Sequence, residues 1–276
     1  MRQAAVWTRA LLAAFQFLTR LPLRIEPPPD AREIGLSLAW YPVVGLVIGM
    51  ILWGAALALT VLRVPALLGA AILLALWVLM TGALHIDGLA DTADAWVGGH
   101  GDRERTLAIM KDPRSGPVAV AAVNCLLLLK FAALAALTAH LHVASLHAPA
   151  LYPTPWSDWR LAAGWILPPL LARAAIPLLF AHTPYVRTQG IAQQMTVHQS
   201  RAAGAFVVAL TALGTVAVYR TSGAVAVAVA AAAYAIIRGG FLRRLGGFTG
   251  DGAGALIEVI ETACIAAVAA ASAAAR

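Results

Sequence analysis

Charge is scarce in this chain. Only 12% of its 276 residues are Asp, Glu, Lys or Arg, and 61% are apolar, whereas soluble domains carry about 25% charged residues. A soluble globular domain is thereby excluded. Long apolar runs between short polar connections point instead to a polytopic membrane protein. Cysteine is nearly absent: Cys125 and Cys264 both lie inside apolar runs, which excludes a disulfide framework and a CxxC site. No Gly-Lys-Ser/Thr follows any Gly-rich stretch, so there is no nucleotide P-loop. No sequence repeat and no linker divides the chain, and residues 1–276 read as a single integral membrane domain. Acidic residues are the rarer sign, 13 against 20 basic. The basic excess flanks apolar spans, which is how membrane topology is set, and it gives no reason to expect nucleic acid.

What is present is a succession of apolar segments. Arg2 and Arg9 precede a first run, Ala10 to Leu18, which stops at Arg20, Pro22, Arg24 and Pro27-Pro28-Pro29. No small-residue cleavage site follows, so an interfacial helix fits better than a signal peptide. Spans are expected at about Leu38–Leu62, Pro65–Leu84, Pro117–Leu141, Leu161–Phe180 (interrupted at Pro168-Pro169), Ala202–Tyr219 and Gly223–Ile237, and a last, alanine-rich span follows the Gly246–Gly254 stretch and runs to about Ala270. The fifth and sixth form a hairpin over a three-residue turn. The connection His142 to Arg160 carries an aromatic cluster, Tyr152, Trp156 and Trp159, and His140, His142 and His147 read as ordinary loop histidines. The expected fold is all-α, a polytopic membrane bundle of about seven transmembrane helices plus the N-terminal interfacial helix. With the N-terminus inside, the cytoplasmic segments hold Arg2, Arg9, Arg20, Arg24, Arg32, Arg103, Arg105, Lys111, Arg114, Arg187, Arg201, Arg238, Arg243 and Arg244. The opposite side holds Arg63, Arg160, Arg220 and Arg276. That asymmetry puts the acidic and Gly-rich loops on the cytoplasmic side.

The stretch richest in chemistry is Leu84-His85-Ile86-Asp87-Gly88-Leu89-Ala90-Asp91-Thr92-Ala93-Asp94. Spacings of four and three put Asp87, Asp91 and Asp94 on one helical face. Like charges on one stripe repel, and hard oxygen ligands of this kind suit Mg²⁺. His85 is a candidate general base or orienting group. Downstream, Lys111, Asp112 and Arg114 form a loop in which a point charge and a planar fork can meet phosphate oxygens. The Gly246–Gly254 stretch opens a helix and offers backbone N–H groups to an anion. Thr249 and Gly250 are its substrate-binding candidates, and Asp251 adds a fourth candidate metal ligand. Within the spans, Glu258 and Glu261 must face the bundle interior. Arg173 is either their partner or a substrate-phosphate ligand, and Lys130 either turns inward or snorkels.

Together these residues resemble cobalamin synthase, the adenosylcobinamide-GDP ribazoletransferase family. The resemblance runs from Phe17-Leu18-Thr19-Arg20-Leu21-Pro22 through Tyr41-Pro42-Val43-Val44-Gly45 to its most specific parts. Those are His85 to Asp94, Ile109-Met110-Lys111-Asp112 and Gly246-Gly247-Phe248-Thr249-Gly250-Asp251, with Gly254-Ala255 and Glu261. Ala108, Pro113 and Ser115 depart from the commoner pattern. The resemblance implies an enzyme of the bacterial inner membrane, multi-pass, with its active site on the cytoplasmic side. It implies transfer of the adenosylcobinamide-phosphate moiety of adenosylcobinamide-GDP to α-ribazole, or its 5′-phosphate, with Mg²⁺ and release of GMP. His85, Asp87 and Asp91 would be catalytic; Lys111, Asp112, Arg114, Arg173, Thr249 and Gly250 would bind substrate; Asp87, Asp91, Asp94 and Asp251 would hold the metal. Lipid, other late enzymes of the pathway and a second copy of the chain are the remaining partners to expect. The rival reading is a corrinoid or cation transporter, suggested by buried charges and Gly/Pro-broken spans.

Overall fold

The structure is a computed structural model describing residues 2–147, 159–188 and 190–274. Tyr152 and Trp156 lie outside them. Along the described residues the α-helices follow in order: α1 (Arg2–Leu18), α2 (Ala31–Ser37), α3 (Tyr41–Val61), α4 (Ala66–Thr81), α5 (Leu84–Gly98), α6 (Arg103–Ile109), α7 (Pro117–His147), α8 (Ala163–His182), α9 (Ile191–His198), α10 (Arg201–Leu245) and α11 (Gly250–Ala274). Among the described residues there is no strand, only an isolated bridge between Tyr185 and Phe248. Among the described residues, five helices are long and apolar enough to cross a membrane, six if the bent pair α4–α5 counts as one span. The chain is a helical membrane bundle. His140 and His142, read as loop residues, lie in the last turns of α7.

The hairpin expected near residue 220 sits inside α10. At roughly 1.5 Å per residue, α10 drawn straight would be far longer than a hydrocarbon core of about 30 Å. Arg220 breaks it with φ 49° and ψ −119°. A Cβ on Gly223 would lie 2.3 Å from the Thr215 carbonyl, whereas eight residues of straight helix separate backbones by roughly 12 Å. The chain therefore doubles back, and glycine permits the close return. At Pro168-Pro169 the structure departs from the sequence reading. α8 runs through both prolines without interruption. Both lie past the first turn, so each withdraws one N–H from the ladder, and α8 nonetheless continues, through Pro177 as well, to His182. α3 also packs tightly here, since a Cβ on Gly45 would lie 2.2 Å from the Pro169 carbonyl. Small residues at a helix crossing let backbones approach in this way.

α1 buries one stripe, Ala10, Ala14 and Leu18, against α2 and α3. It is tied down by Arg9, which bonds Glu33 at 2.6 Å and the Pro27 carbonyl at 2.6 Å. Deeper in the bundle, the buried Nζ of Lys130 on α7 meets Glu258 at 2.7 Å and Glu261 at 2.6 Å on α11. Arg173 of α8, also wholly buried, pairs with Glu261. Two acids and two bases thus pin three helices. Lys130 turns inward, and Arg173 pairs with a glutamate while its Nε and Nη2 stay buried without a partner among the described residues.

Removing one partner strands an opposite charge in low dielectric, at about 3–5 kcal/mol. Lys130→Met should therefore lower thermal stability in detergent sharply, and adding Glu258→Gln should recover part of the loss. An unchanged unfolding temperature for the single variant would contradict the pinning role.

Candidate active site

α4 ends where Gly82 and Ala83 both take left-handed backbone angles, φ 61° and 58°. Glycine adopts that conformation freely and alanine with strain. The double turn bends the chain by 88°, so α5 leaves the span and runs across the end of the bundle. There it crosses the start of α11 at close range. A Cβ on Gly88 would lie 2.6 Å from the Asp251 carbonyl, and one on Gly254 would lie 3.3 Å from the His85 Cα. The Asp-Gly pair of α5 thus brings Asp87 and Asp91 up to Asp251, some 160 residues away in sequence.

The carboxylates crowd one another. Burial, then the charges of Asp87, Asp251 and Asp94, push the Asp91 carboxyl up to about 6, with Arg187 pulling the other way. Asp94 has a different employment. Its two oxygens accept the backbone N–H groups of Gly116 and Ala119, the latter at 2.8 Å, so it caps the N-terminus of α7. Asp251 is occupied as well, by Arg187 Nη2 at 2.7 Å. Among the described residues, neither Asp87 nor Asp91 has a side-chain hydrogen bond or ion pair, and no three His, Cys, Asp or Glu side chains converge into a metal-holding group. Mg²⁺ does not require such a cage, because it is typically bound by one or two carboxylates plus substrate phosphates and water. Two unpartnered carboxylates, one destabilised by its neighbours' charges, fit that mode.

Arg187 is the residue the sequence reading passed over; it stood there only as a topological charge. A short backbone pairing places it: Val186 N–H bonds the Phe248 carbonyl at 3.0 Å, and Phe248 N–H bonds the Pro184 carbonyl at 2.9 Å. Gly247 makes this approach feasible, since a Cβ there would lie 2.1 Å from the Pro184 carbonyl. Besides Asp251, Arg187 reaches the Met110 carbonyl at 3.3 Å. Its Nε is buried without a partner among the described residues. With Lys111 and Thr188 it lines a cavity of about 310 Å³, a cationic space next to the carboxylates. Its position in a polar loop on the same side as the acidic stretch was the only available signal.

The remaining candidates divide. Lys111 faces the cationic cavity. Asp112 and Arg114 pair with each other at 2.8 Å on the exposed surface, and hydrogen bonds from Arg114 hold the Asp112 carboxyl down at about 2. Thr249 is fully buried, and its hydroxyl accepts the Gly252 N–H at 3.0 Å and donates to the Met110 sulfur, so it caps α11. Gly250 is exposed and borders a second cavity, of about 190 Å³, whose polar rim is Asp87 and Asp251 and whose buried wall includes His85. His85 is 3% exposed, and neither ring nitrogen has a partner among the described residues.

Residues 10–269 match the family model for cobalamin-5-phosphate synthase. The chain is 46% identical over 252 residues to an adenosylcobinamide-GDP ribazoletransferase of Pseudomonas fluorescens, covering 91% of this chain and 96% of that one. It is 47% identical over 261 residues to the enzyme of that name from Pseudomonas aeruginosa PAO1 (95% and 98% covered). It is 48% identical over 255 residues to that of Stutzerimonas stutzeri (92% and 95%). No solved structure matches.

Proposed function

This chain belongs to the cobalamin-5-phosphate synthase family and is an enzyme; we propose that it transfers the adenosylcobinamide-phosphate moiety of adenosylcobinamide-GDP to α-ribazole or its 5′-phosphate, with Mg²⁺, releasing GMP. The observation that carries the reading is the apposition of an acidic face to a cationic cavity across one ion pair, Arg187–Asp251. A diphosphate needs both: cations for its oxygens and carboxylates for a divalent metal. The transporter reading draws no support from the relatives.

In the proposed reaction a ribose hydroxyl oxygen bonds to the cobinamide-side phosphorus, and the bond from that phosphorus to the bridging oxygen breaks, so that GMP departs. Asp87 and Asp91 would hold the Mg²⁺, which when bound neutralises the diphosphate and the leaving oxygen. Lys111 and Arg187 bind the phosphate oxygens of the departing nucleotide. Asp87 or Asp91 of the α5 face, through an oxygen not turned to the metal, takes the hydroxyl proton. Asp94 positions this face by capping α7, and Thr249 positions Asp251 by capping α11. The basic excess on the segments that bear these groups supports a site on the cytoplasmic side of the bacterial inner membrane.

The test is product analysis with the purified full chain in detergent. Equimolar GMP and cobalamin (or its phosphate) should form only with both substrates and Mg²⁺ present, and EDTA should abolish both products. A well-folded protein that yields no GMP would overturn the reading.

A further inference from the structure

The 190 Å³ cavity is not used by the diphosphate chemistry. It opens at a rim formed by Asp87, Asp251 and the exposed Gly250, and runs inward between α1, α3, α5, α8, α9 and α11. Phe17, Tyr41, Ile176, Phe180 and Met195 wall it. Tyr41 and Met195 fix each other, the phenol O–H donating to the Met195 sulfur at 3.6 Å. Besides the rim carboxylates, two polar side chains line it: Tyr41, whose hydroxyl is taken up by Met195, and His85, buried with both ring nitrogens unpartnered among the described residues. A buried polar group left unpaired costs about 1–3 kcal/mol, so a ligand that completes it is favoured.

We propose that this cavity seats the aromatic base of the attacking nucleoside, with His85 donating a hydrogen bond to the ring nitrogen that carries no sugar. The assignment rests on the ribazole-transfer reading and names the place of one substrate within it. Size argues for it. Pockets that enclose whole drug-sized ligands run to about 300–1,000 Å³, so this one takes a fused bicycle and excludes a corrin ring. Chemistry argues for it too. A benzimidazole bonded to ribose through one nitrogen presents apolar faces and a single acceptor, which matches apolar walls and the His85 donor. Guanine, with several donors and acceptors on its edge, would leave most of them unpaired here. A lipid chain would leave His85 as it is. Position completes the argument: a base in this cavity places its ribose at the rim, beside Asp87 and Asp251. The cationic cavity for the leaving nucleotide lies across the Arg187–Asp251 pair. Nucleophile and leaving group thus enter from different sides, as an in-line displacement requires.

Met195 is then a specificity residue. In the purified full chain, Met195→Ala should raise kcat/KM for a naphthimidazole riboside relative to α-ribazole by about tenfold or more, the scale set by a few methylene-sized volumes in an apolar pocket. The KM for adenosylcobinamide-GDP should stay unchanged. Because the readout is a ratio of two substrates on one enzyme, partial loss of folded protein does not move it. His85→Leu should remove the wild-type preference for α-ribazole over an indole riboside, which lacks the acceptor nitrogen. If the wild type turns over but neither ratio moves, the base binds elsewhere and the cavity assignment fails. If the wild type releases no GMP from any riboside, the transfer reading itself fails.

Discussion

Asp91→Asn should reduce GMP release by about 10³-fold, the scale seen when an electrostatic group aimed at developing charge is lost, and it should leave the protein at least as stable as the wild type. The two halves of that expectation have one cause. Asp91 sits half-buried among the charges of Asp87, Asp251 and Asp94, which raise its carboxyl to about 6. An amide of nearly the same shape removes the repulsion and also removes the ligand. Active sites commonly hold such destabilising charge, and its neutralisation trades activity for stability. A purely structural role would show the opposite signature, with activity and unfolding temperature falling together. Asp94→Ala supplies the contrast: Asp94 caps α7 through Gly116 and Ala119, so its loss should lower stability by about 1 kcal/mol.

The second large effect is expected at Arg187. Arg187→Ala should lower kcat/KM for adenosylcobinamide-GDP by about 10²–10³-fold, and Arg187→Lys should restore only part of it. A planar guanidinium can hold Asp251 with one nitrogen and phosphate oxygens with others, whereas an ammonium is a point charge. The KM for α-ribazole should change little, since Arg187 lines the cationic cavity and not the apolar one. Steady-state kinetics with each substrate varied in turn separates the two. A uniform loss across both substrates would mean that Arg187 merely supports the loop.

The helical membrane architecture was legible because apolar runs declare themselves locally. α3, α4, α7, α8 and α11 each lie within a few residues of the expected spans, and the reversal at Arg220 falls where a short polar break was visible. The acidic face was legible for the same reason: spacing within one helix fixes which residues share a side. What the sequence could not convey depends on pairing between distant segments. The bend after α4 uses Ala83 in a left-handed conformation that no propensity favours. Asp94 looked like its two neighbours, and only the apposition of α5 and α7 turns it into a cap. Arg187 acquires its role from a two-bond pairing between the loop after α8 and the turn after α10. Lys130, Glu258 and Glu261 each looked costly alone, and their mutual compensation spans 128 and 131 residues of chain.

The central proposal is that the α5 face holds a divalent cation together with the substrate's diphosphate, and Mn²⁺ binding tests it without relying on turnover. Mn²⁺ accepts the same oxygen ligands as Mg²⁺ and is read by electron paramagnetic resonance on the purified full chain in detergent. The expected result is one Mn²⁺ bound in the presence of adenosylcobinamide-GDP. Its affinity should fall at least about tenfold, roughly 1.4 kcal/mol, in Asp87→Asn and in Asp91→Asn, with their unfolding temperatures preserved. Equal Mn²⁺ affinity in the wild type and both variants would place the cation elsewhere and contradict the proposal.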